Sequence, residues 1–485
     1  MPHNNPTIKI KTILGLNNAD PSERLIFDQE NQAALFKKIE NFDLDKTGRI
    51  SRRDGYTKVY EGTNIHSLYT NGSMVVFVED EALNKLNTLD YTATEITTDI
   101  IDNVNYLSIN NNIYYSDGHT KGVIISDATK RDWGIEYPQG QSTLATTNGG
   151  LYAGRYQVAI TYVASDGRES GARLAGVIEL SDNQGIALTN IPISSDSTVT
   201  NKRIYISQAN GEVLYLAYEI ANSVTSLNII AGIWSYPLRT QYIVPPPVNT
   251  AIEIYNGRLY VAKDNFVYYS EPFAYEWFKT GFNFFKFPEN VTEIIAVNDG
   301  IYVDSDILYF LRGNDPNEMS LDQIGDIKLI KNSKYKINKT VIKEELKIPG
   351  DIVFLVMTDK GFKYLGSGGS VVEDPSFNGI VFPYADLGVS LFRTKNNINQ
   401  YIGIIPKGVD AAVGDLITES IITTKNLADK MLVTIGSVIS ATGDYTNLLS
   451  DSSTITDTIT ISVTGALLGQ WDFSNNKQSG HLLTY

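Results

Sequence analysis

Tyr255-Asn256-Gly257-Arg258-Leu259-Tyr260-Val261-Ala262 runs on into Phe266-Val267-Tyr268-Tyr269-Ser270. The same design returns at Asn298-Asp299-Gly300-Ile301-Tyr302-Val303 with Ile307-Leu308-Tyr309-Phe310-Leu311. In both, β-branched and aromatic residues flank an Asn-Gly or Asp-Gly pair, which reads as strand, tight turn, strand. The two turn glycines stand about 43 residues apart, the length of one four-stranded propeller blade. Weaker copies occur at Thr70 to Leu86, Asn110 to Ser116 and Asp351 to Leu365. Hairpins of one design at blade length predict blades around an axis; a run of unrelated hairpins is the alternative.

Working outward, further turn pairs lie at Asn71-Gly72, Asp117-Gly118, Asp166-Gly167 and Asn210-Gly211. Asn and Asp tolerate positive φ, so each pair is suited to the primed turn that matches strand twist. From about Tyr137 to Val244 the strands lengthen, as in Tyr156 to Val163 and Arg203 to Ser207, and Pro245-Pro246-Pro247 makes a stiff exit. This stretch predicts an antiparallel sandwich, and its strand, Asp-Gly turn, strand order resembles a fibronectin type III domain. Beyond about Asp410 the chain turns rich in Thr, Ser and Ile, as in Ile421-Ile422-Thr423-Thr424 and Ile455 to Val463, implying two-faced strands suited to a neighbouring subunit. The expected fold is therefore mainly β: a β-propeller of blade repeats with an inserted fibronectin-III-like β-sandwich. Its expected divisions are an N-terminal arm (1–30), propeller (31–136), sandwich (137–245), propeller (246–409) and a C-terminal β segment (410–485).

The 485 residues contain no cysteine, which excludes a disulfide framework, thiolate zinc sites and a cysteine nucleophile and fits assembly in a reducing cytoplasm. The first twenty residues lack the apolar core of a signal peptide, and no later run approaches eighteen apolar residues, so a soluble chain without an export address is expected. A net charge of −15 disfavours a duplex-DNA binder, which must neutralise phosphates, yet suits a surface that DNA slides past.

One stretch carries metal-site spacing. Asp43-Leu44-Asp45-Lys46-Thr47-Gly48-Arg49-Ile50-Ser51-Arg52-Arg53-Asp54 matches an EF-hand calcium loop, with oxygens from Asp43, Asp45, Thr47, the Arg49 carbonyl, Ser51 through water, and Asp54, after a possible helix over Ala33 to Phe42. Against calcium stand the short Asp at position twelve, the crowding basic side chains and the poor helix former Gly55 to Tyr60. A strand, a Thr47-Gly48 turn and a second strand is the preferred reading, and no cofactor or metal is expected. The histidines His3, His66, His119 and His481 are scattered, with no zinc or serine-hydrolase signature. Gly366-Ser367-Gly368-Gly369-Ser370 lacks the Lys of a phosphate loop and reads as a turn. Phe273, Tyr275, Trp277, Phe278, Phe282, Phe284, Phe285 and Phe287 offer either a sugar-stacking platform or packing between blades or subunits. No catalytic residue emerges and a non-enzyme is expected, although a carboxylate pair of a glycan-cleaving enzyme is not visible to sequence spacing.

Three stretches together resemble a family of phage virion proteins: Asn41 to Tyr60; Gly154-Arg155-Tyr156 with Asp166-Gly167-Arg168-Glu169-Ser170-Gly171-Ala172; and Asn256 to Ala262 with Tyr269-Ser270-Glu271-Pro272. The family is that of the tail nozzle, or packaged-DNA stabilisation, proteins of short-tailed phages, and the similarity fades after about residue 315. The resemblance implies a virion protein assembled in the bacterial cytoplasm, a propeller in each subunit, and a homohexameric ring joined to portal or adaptor proteins and to fibre or needle proteins. Genomic DNA would leave through that ring without sequence-specific binding, and no membrane is involved. A fibre protein recognising host surface glycan and a propeller-fold glycan-cleaving enzyme are the alternatives.

Overall fold

A computed structural model describes residues 12–17, 20, 33–36, 42–44, 50–52, 57–374 except 127 and 343, 385, 387–395, 398–405, 416–425 and 432–441. These residues are almost wholly strand and turn. Near the N-terminus β1 (Thr12–Leu16) pairs in parallel with β2 (Ala33–Phe36), and β3 (Phe42–Leu44) pairs antiparallel with β4 (Ile50–Arg52). Ala33–Phe36 is thus a strand, not the start of the helix an EF-hand loop would need: Ala33, Ala34, Leu35 and Phe36 have a strand partner in β1.

Two four-stranded antiparallel meanders follow. The first contains β5 (Ile65–Thr70), β6 (Val75–Glu79), β7 (Ala82–Leu86) and β8 (Ala93–Thr97). The second contains β9 (Asn105–Ile109), β10 (Asn112–Ser116), β11 (Lys121–Ile124) and β12 (Lys130–Arg131). The chain then builds two facing sheets from β13 (Thr143–Leu151), β14 (Gly154–Ala164), β15 (Arg173–Leu180), β16 (Gln184–Thr189), β17 (Val199–Ser207), β18 (Leu214–Ala221) and β19 (Ser226–Ile229). Their orders are β13-β16-β19 and β15-β14-β17-β18. Tyr156, Val158 and Ile160 of β14 meet Ile186 and Leu188 of β16 and Ile204 and Ile206 of β17 in one core. The period-2 alternation along β14 puts these side chains on one face, so the pattern itself specifies the sandwich.

Meanders resume with β20 (Ala251–Tyr255), β21 (Arg258–Lys263), β22 (Phe266–Glu271) and β23 (Ala274–Phe278), and the short β24 (Phe284–Lys286) also pairs with β22. Next come β25 (Glu293–Val297), β26 (Gly300–Asp304), β27 (Leu308–Arg312) and β28 (Ser320–Gly325). The following sheet holds β29 (Tyr335–Asn338), β30 (Ile352–Thr358), β31 (Gly361–Leu365) and β32 (Val371–Val372). The last holds β33 (Val389–Lys395), β34 (Ile398–Ile405), β35 (Leu416–Lys425) and β36 (Leu432–Ala441). This sheet spans position 410, where the sequence suggested a separate segment; residues 442–485 lie outside the described residues.

The middle strands of a meander are mostly buried and the fourth is open: β26 is buried throughout and β30 nearly so, while no residue of β28 is buried. First strands of successive sheets lie side by side, β9 with β20 and β20 with β25. Apolar faces weld neighbour to neighbour. Val76 and Leu83 pack on Ile113 and Tyr115, Trp133 on Leu259 and Val261, Tyr260 on Ile294 and Ile301, Ile295 and Phe310 on Val356, and Leu355 on Tyr401. Each such buried side chain contributes about 1.5–3 kcal/mol. Successive four-stranded antiparallel meanders packed face to face make the fold propeller-like.

The turn chemistry differs in detail from expectation. Asn256 (φ 45°) and Gly257 (φ 73°) both occupy the left-handed region, as a primed turn requires. Asn110 and Asn111 (φ 52° and 65°) do the same without any glycine. Gly300, by contrast, lies within β26 opposite Val297, so the turn there is Asn298-Asp299.

Candidate functional site

Of the stretch with calcium-loop spacing, the described residues form part of a hairpin. Asp43 in β3 lies opposite Ser51 in β4 across an antiparallel pair; Asp45, Thr47, Arg49 and Asp54 lie outside the described residues. Among the described residues no cluster of three His, Asp or Glu side chains is placed to hold a metal. His66 is buried, its ring Nδ1 2.8 Å from Ser67 Oγ, and burial lowers its pKa; His119 donates its backbone N–H to Asp117. No helix of the described residues is long and apolar enough to cross a membrane.

The glycine-rich segment forms a loop whose amide is already occupied. Gly368 N lies 2.9 Å from both carboxylate oxygens of Asp299, and Gly368 O accepts from Arg312 Nη2 at 3.0 Å. Asn298 Oδ1 accepts from Asp351 N (2.9 Å) and Ile352 N (2.7 Å), and the Tyr302 hydroxyl donates to Gly366 O at 2.6 Å. A side-chain carboxylate from one blade therefore fills the place a bound anion would take in the next. The inner turns of other blades latch similarly: Asn71 Nδ2 donates to Asn111 O at 3.3 Å and Asn256 Nδ2 to Asn314 O at 2.9 Å.

The aromatic run divides. Phe278 and Phe287 are core residues, Tyr275 and Phe285 pack against the core, and the Trp277 indole N–H is spent on Glu169 O at 2.9 Å. Phe273 (80% exposed), Phe282 (69%) and Phe284 (38%) face solvent. Phe282 stands 6.0 Å from the exposed Tyr242, and Phe284 packs edge-on to Phe266 at 5.4 Å.

Two charged clusters were not anticipated. Lys334 at the entry to β29 reaches Glu253 of β20 (3.2 Å), Glu293 of β25 (3.0 Å) and the Ile294 carbonyl (2.7 Å). Burial works against the charge on Lys334, but Glu293 and Glu253 outweigh it and hold the ammonium above the ordinary lysine range. Burial lowers the pKa of Lys331 against the opposing pull of Glu293 and Asp102, so the linker before β29 lies within electrostatic reach of the linker between the first two blades. Asp304, paired across the strands with Glu293, is pushed up to about 7 by burial, with hydrogen bonds from Thr292 and Leu329 only partly opposing. The signal in the sequence was a Glu amid isoleucines at the start of an inner strand, in Ile252-Glu253-Ile254 and Glu293-Ile294-Ile295.

The second cluster joins sandwich to blades. Glu276 of β23 pairs with Arg131 of β12 and, at 3.1 Å, with Arg168 from the β14–β15 turn, whose Nε also reaches Asp166 at 2.7 Å. The next residue, Glu169, accepts from Arg203 (2.6 Å), Tyr205 (2.7 Å) and Thr161 (2.7 Å). A Cβ on Gly171 would stand 1.8 Å from the Ile243 carbonyl, so the exit strand can pass only over a glycine. Val244 and Phe278 exchange backbone hydrogen bonds of 2.8 and 3.0 Å. Asp166 to Gly171 is thus a joint that fixes the sandwich on the third blade.

No protein-family model matches the chain, and no curated protein matches it in sequence. Among solved structures the chain is similar to the computationally designed Ika8 protein at 10% identity and TM-score 0.24, covering 72% of this chain and 95% of that one. It is similar to BBS1N in complex with ARL6DN at 9% and 0.29, covering 72% and 94%, and to Kluyveromyces lactis Hsv2 at 8% and 0.27, covering 78% and 98%. Likeness at these scores assigns neither fold nor function; strand order and packing carry the description of the chain as mainly β and propeller-like.

Proposed function

We propose that this chain is a structural subunit of a bacteriophage tail, forming part of a nozzle or hub ring through which the genome is retained and ejected. The observation that carries this reading is the use made of the sequence segments that resemble nozzle proteins. Asp166 to Gly171 serves as the sandwich joint and Asn256-Gly257 as a blade latch, so their polar residues hold parts together. In this reading Lys334, Glu253 and Glu293 tie three meanders together within one subunit, and the DNA conduit lies between subunits, as in a homohexamer. A chain of net charge −15 repels phosphate and lets DNA slide. The seven strands divided three and four support a fibronectin-III-like reading of the sandwich, which would meet a fibre or adaptor protein. Negative-stain microscopy of the purified chain and of its parent particle tests the proposal. Sixfold rings at the portal vertex are expected; trimeric spikes there would overturn it.

The exposed rings of Tyr242, Phe282 and Phe284 favour one second reading, a fibre-like protein that stacks host glycan. Its test is a titration with host surface polysaccharide: binding lost in Phe282→Ala supports it, and no binding removes it.

A further inference from the structure

Lysines crowd one short stretch of this acidic chain. Residues 328–347 hold Lys328, Lys331, Lys334, Lys336, Lys339, Lys343 and Lys347 against Glu344 and Glu345, while the whole chain carries −15. Some of them serve the fold: Lys331 and Lys334 are drawn to Glu293, and Lys328 lies within electrostatic reach of Asp304. Lys336 on β29, and Lys339 and Lys347 on the loop between β29 and β30, are exposed. Lys343 lies outside the described residues.

The loop shows these lysines on an anchored backbone. Asn338 pairs with Ile352 where β29 meets β30, closing residues 339–351 into one hairpin loop. Ile337, Ile342 and Ile348 are buried in the core, and Leu346 packs against it. Single 3-10 turns at Lys339–Val341 and Glu344–Leu346 lie between these anchors. Asn338 Oδ1 caps the first of them, accepting from Thr340 N at 3.0 Å and from Thr340 Oγ1 at 2.9 Å. Other surface lysines are answered by acids: Lys58 by Glu61, Lys130 by Asp99, Lys279 by Glu271 and Lys360 by Asp326. Among the described residues none of Lys336, Lys339 and Lys347 has an ion-pair partner.

We infer that Lys336, Lys339 and Lys347 form a contact for the phosphodiester backbone of a nucleic acid, made without regard to base sequence. The residue type selects this occupant. A lysine ammonium is a compact charge on a flexible stem and meets phosphate as a point charge, whereas paired recognition of carboxylates favours arginine and protein interfaces are poor in lysine. Residues 328–347 contain no arginine. Within a screening length of about 8 Å at physiological salt the neighbouring lysines outweigh distant acids, so the contact is favoured locally. The chain as a whole still repels phosphate, which makes the binding weak and strongly dependent on salt. Its place in a tail rests on the nozzle reading, in which the acidic remainder lets DNA slide while this loop retains it; the binding itself needs no ring.

The test titrates the full chain into short labelled DNA duplexes of two unrelated sequences and follows fluorescence anisotropy. The wild type is expected to bind both alike and to lose affinity steeply between about 50 and about 200 mM salt. The triple variant Lys336→Gln, Lys339→Gln, Lys347→Gln should bind about tenfold more weakly at the lower salt and lower the salt slope by about 2.7, from three phosphate contacts at about 0.9 each. The same change of charge made by Lys85→Gln, Lys263→Gln and Lys286→Gln, on β7, β21 and β24, should leave affinity and slope as they were. Near-wild-type thermal melting shows that each variant is folded. No binding by the wild type at low salt overturns the inference, as does a triple variant that binds like wild type or an equal loss in the control variant. Self-association lost in the triple variant, with no DNA bound by the wild type, would assign the lysines to a second copy and overturn it too. Failure of the nozzle reading shows separately, as trimeric spikes in the microscope, and leaves DNA binding by the purified chain in place.

Discussion

Asp304 shows how one buried side chain sets a pH response. It is 2% exposed and paired across the sheet with Glu293, and burial pushes its carboxyl up to about 7. An acid whose folded pKa lies above its unfolded value near 4 stabilises the fold while protonated and loses that contribution as pH rises through about 7. Asn at this position keeps an acceptor for the Leu329 amide and removes the ionisation. We therefore expect Asp304→Asn to gain stability over wild type between pH 5 and 8, by roughly 2–4 kcal/mol at the upper end. Urea unfolding across that range checks it; parallel curves for the two proteins would remove Asp304 as the cause. Nothing in the sequence around Val303-Asp304-Ser305 marks this residue, because its raised pKa comes chiefly from burial, which the packing of the sheets decides, with Glu293 adding to it.

At the level of elements, the sandwich is held by a joint and not merely tethered. Glu276 has two arginines on one carboxylate, from β12 and from the β14–β15 turn, with side chains only 13–17% exposed. Removing it leaves Arg131 and Arg168 close together with less solvent than free guanidinium groups have. Glu276→Ala is expected to cost on the order of 2–3 kcal/mol and to loosen the sandwich on the blades. Limited proteolysis near residues 134–137 and 243–247 should speed up before global unfolding; cleavage rates equal to wild type would show that the glycine and backbone contacts suffice. Asp166-Gly167-Arg168-Glu169-Ser170-Gly171 was legible beforehand as a turn between strands. That it is a joint was not, since its partners Glu276 and Trp277 lie over one hundred residues away.

Across the whole molecule the dominant long-range term is the net charge of −15. If copies assemble through neutral or hydrogen-bonded surfaces, mutual repulsion opposes them and salt relieves it. Raising ionic strength from about 0.1 to about 1 M shortens the screening length from about 10 to about 3 Å. Self-association measured by light scattering is expected to strengthen over that range; weakening with salt would instead point to ion pairs between copies.

The hairpins around Asn256-Gly257 and Ile301 to Leu311 were readable because strand alternation and turn residues are local properties, repeated at blade length. The same local rules marked the long strands of β14 and β17 as a sandwich core, since a period of two assigns each side chain to a face. What they could not supply was partnership. Lys334 finding Glu253 and Glu293, Asp299 filling the Gly368 loop, and Phe278 becoming core while Phe282 stays outside each depend on which segments the fold brings together. Those contacts act over a few ångströms in space between residues tens of positions apart, and no period in the chain encodes that distance.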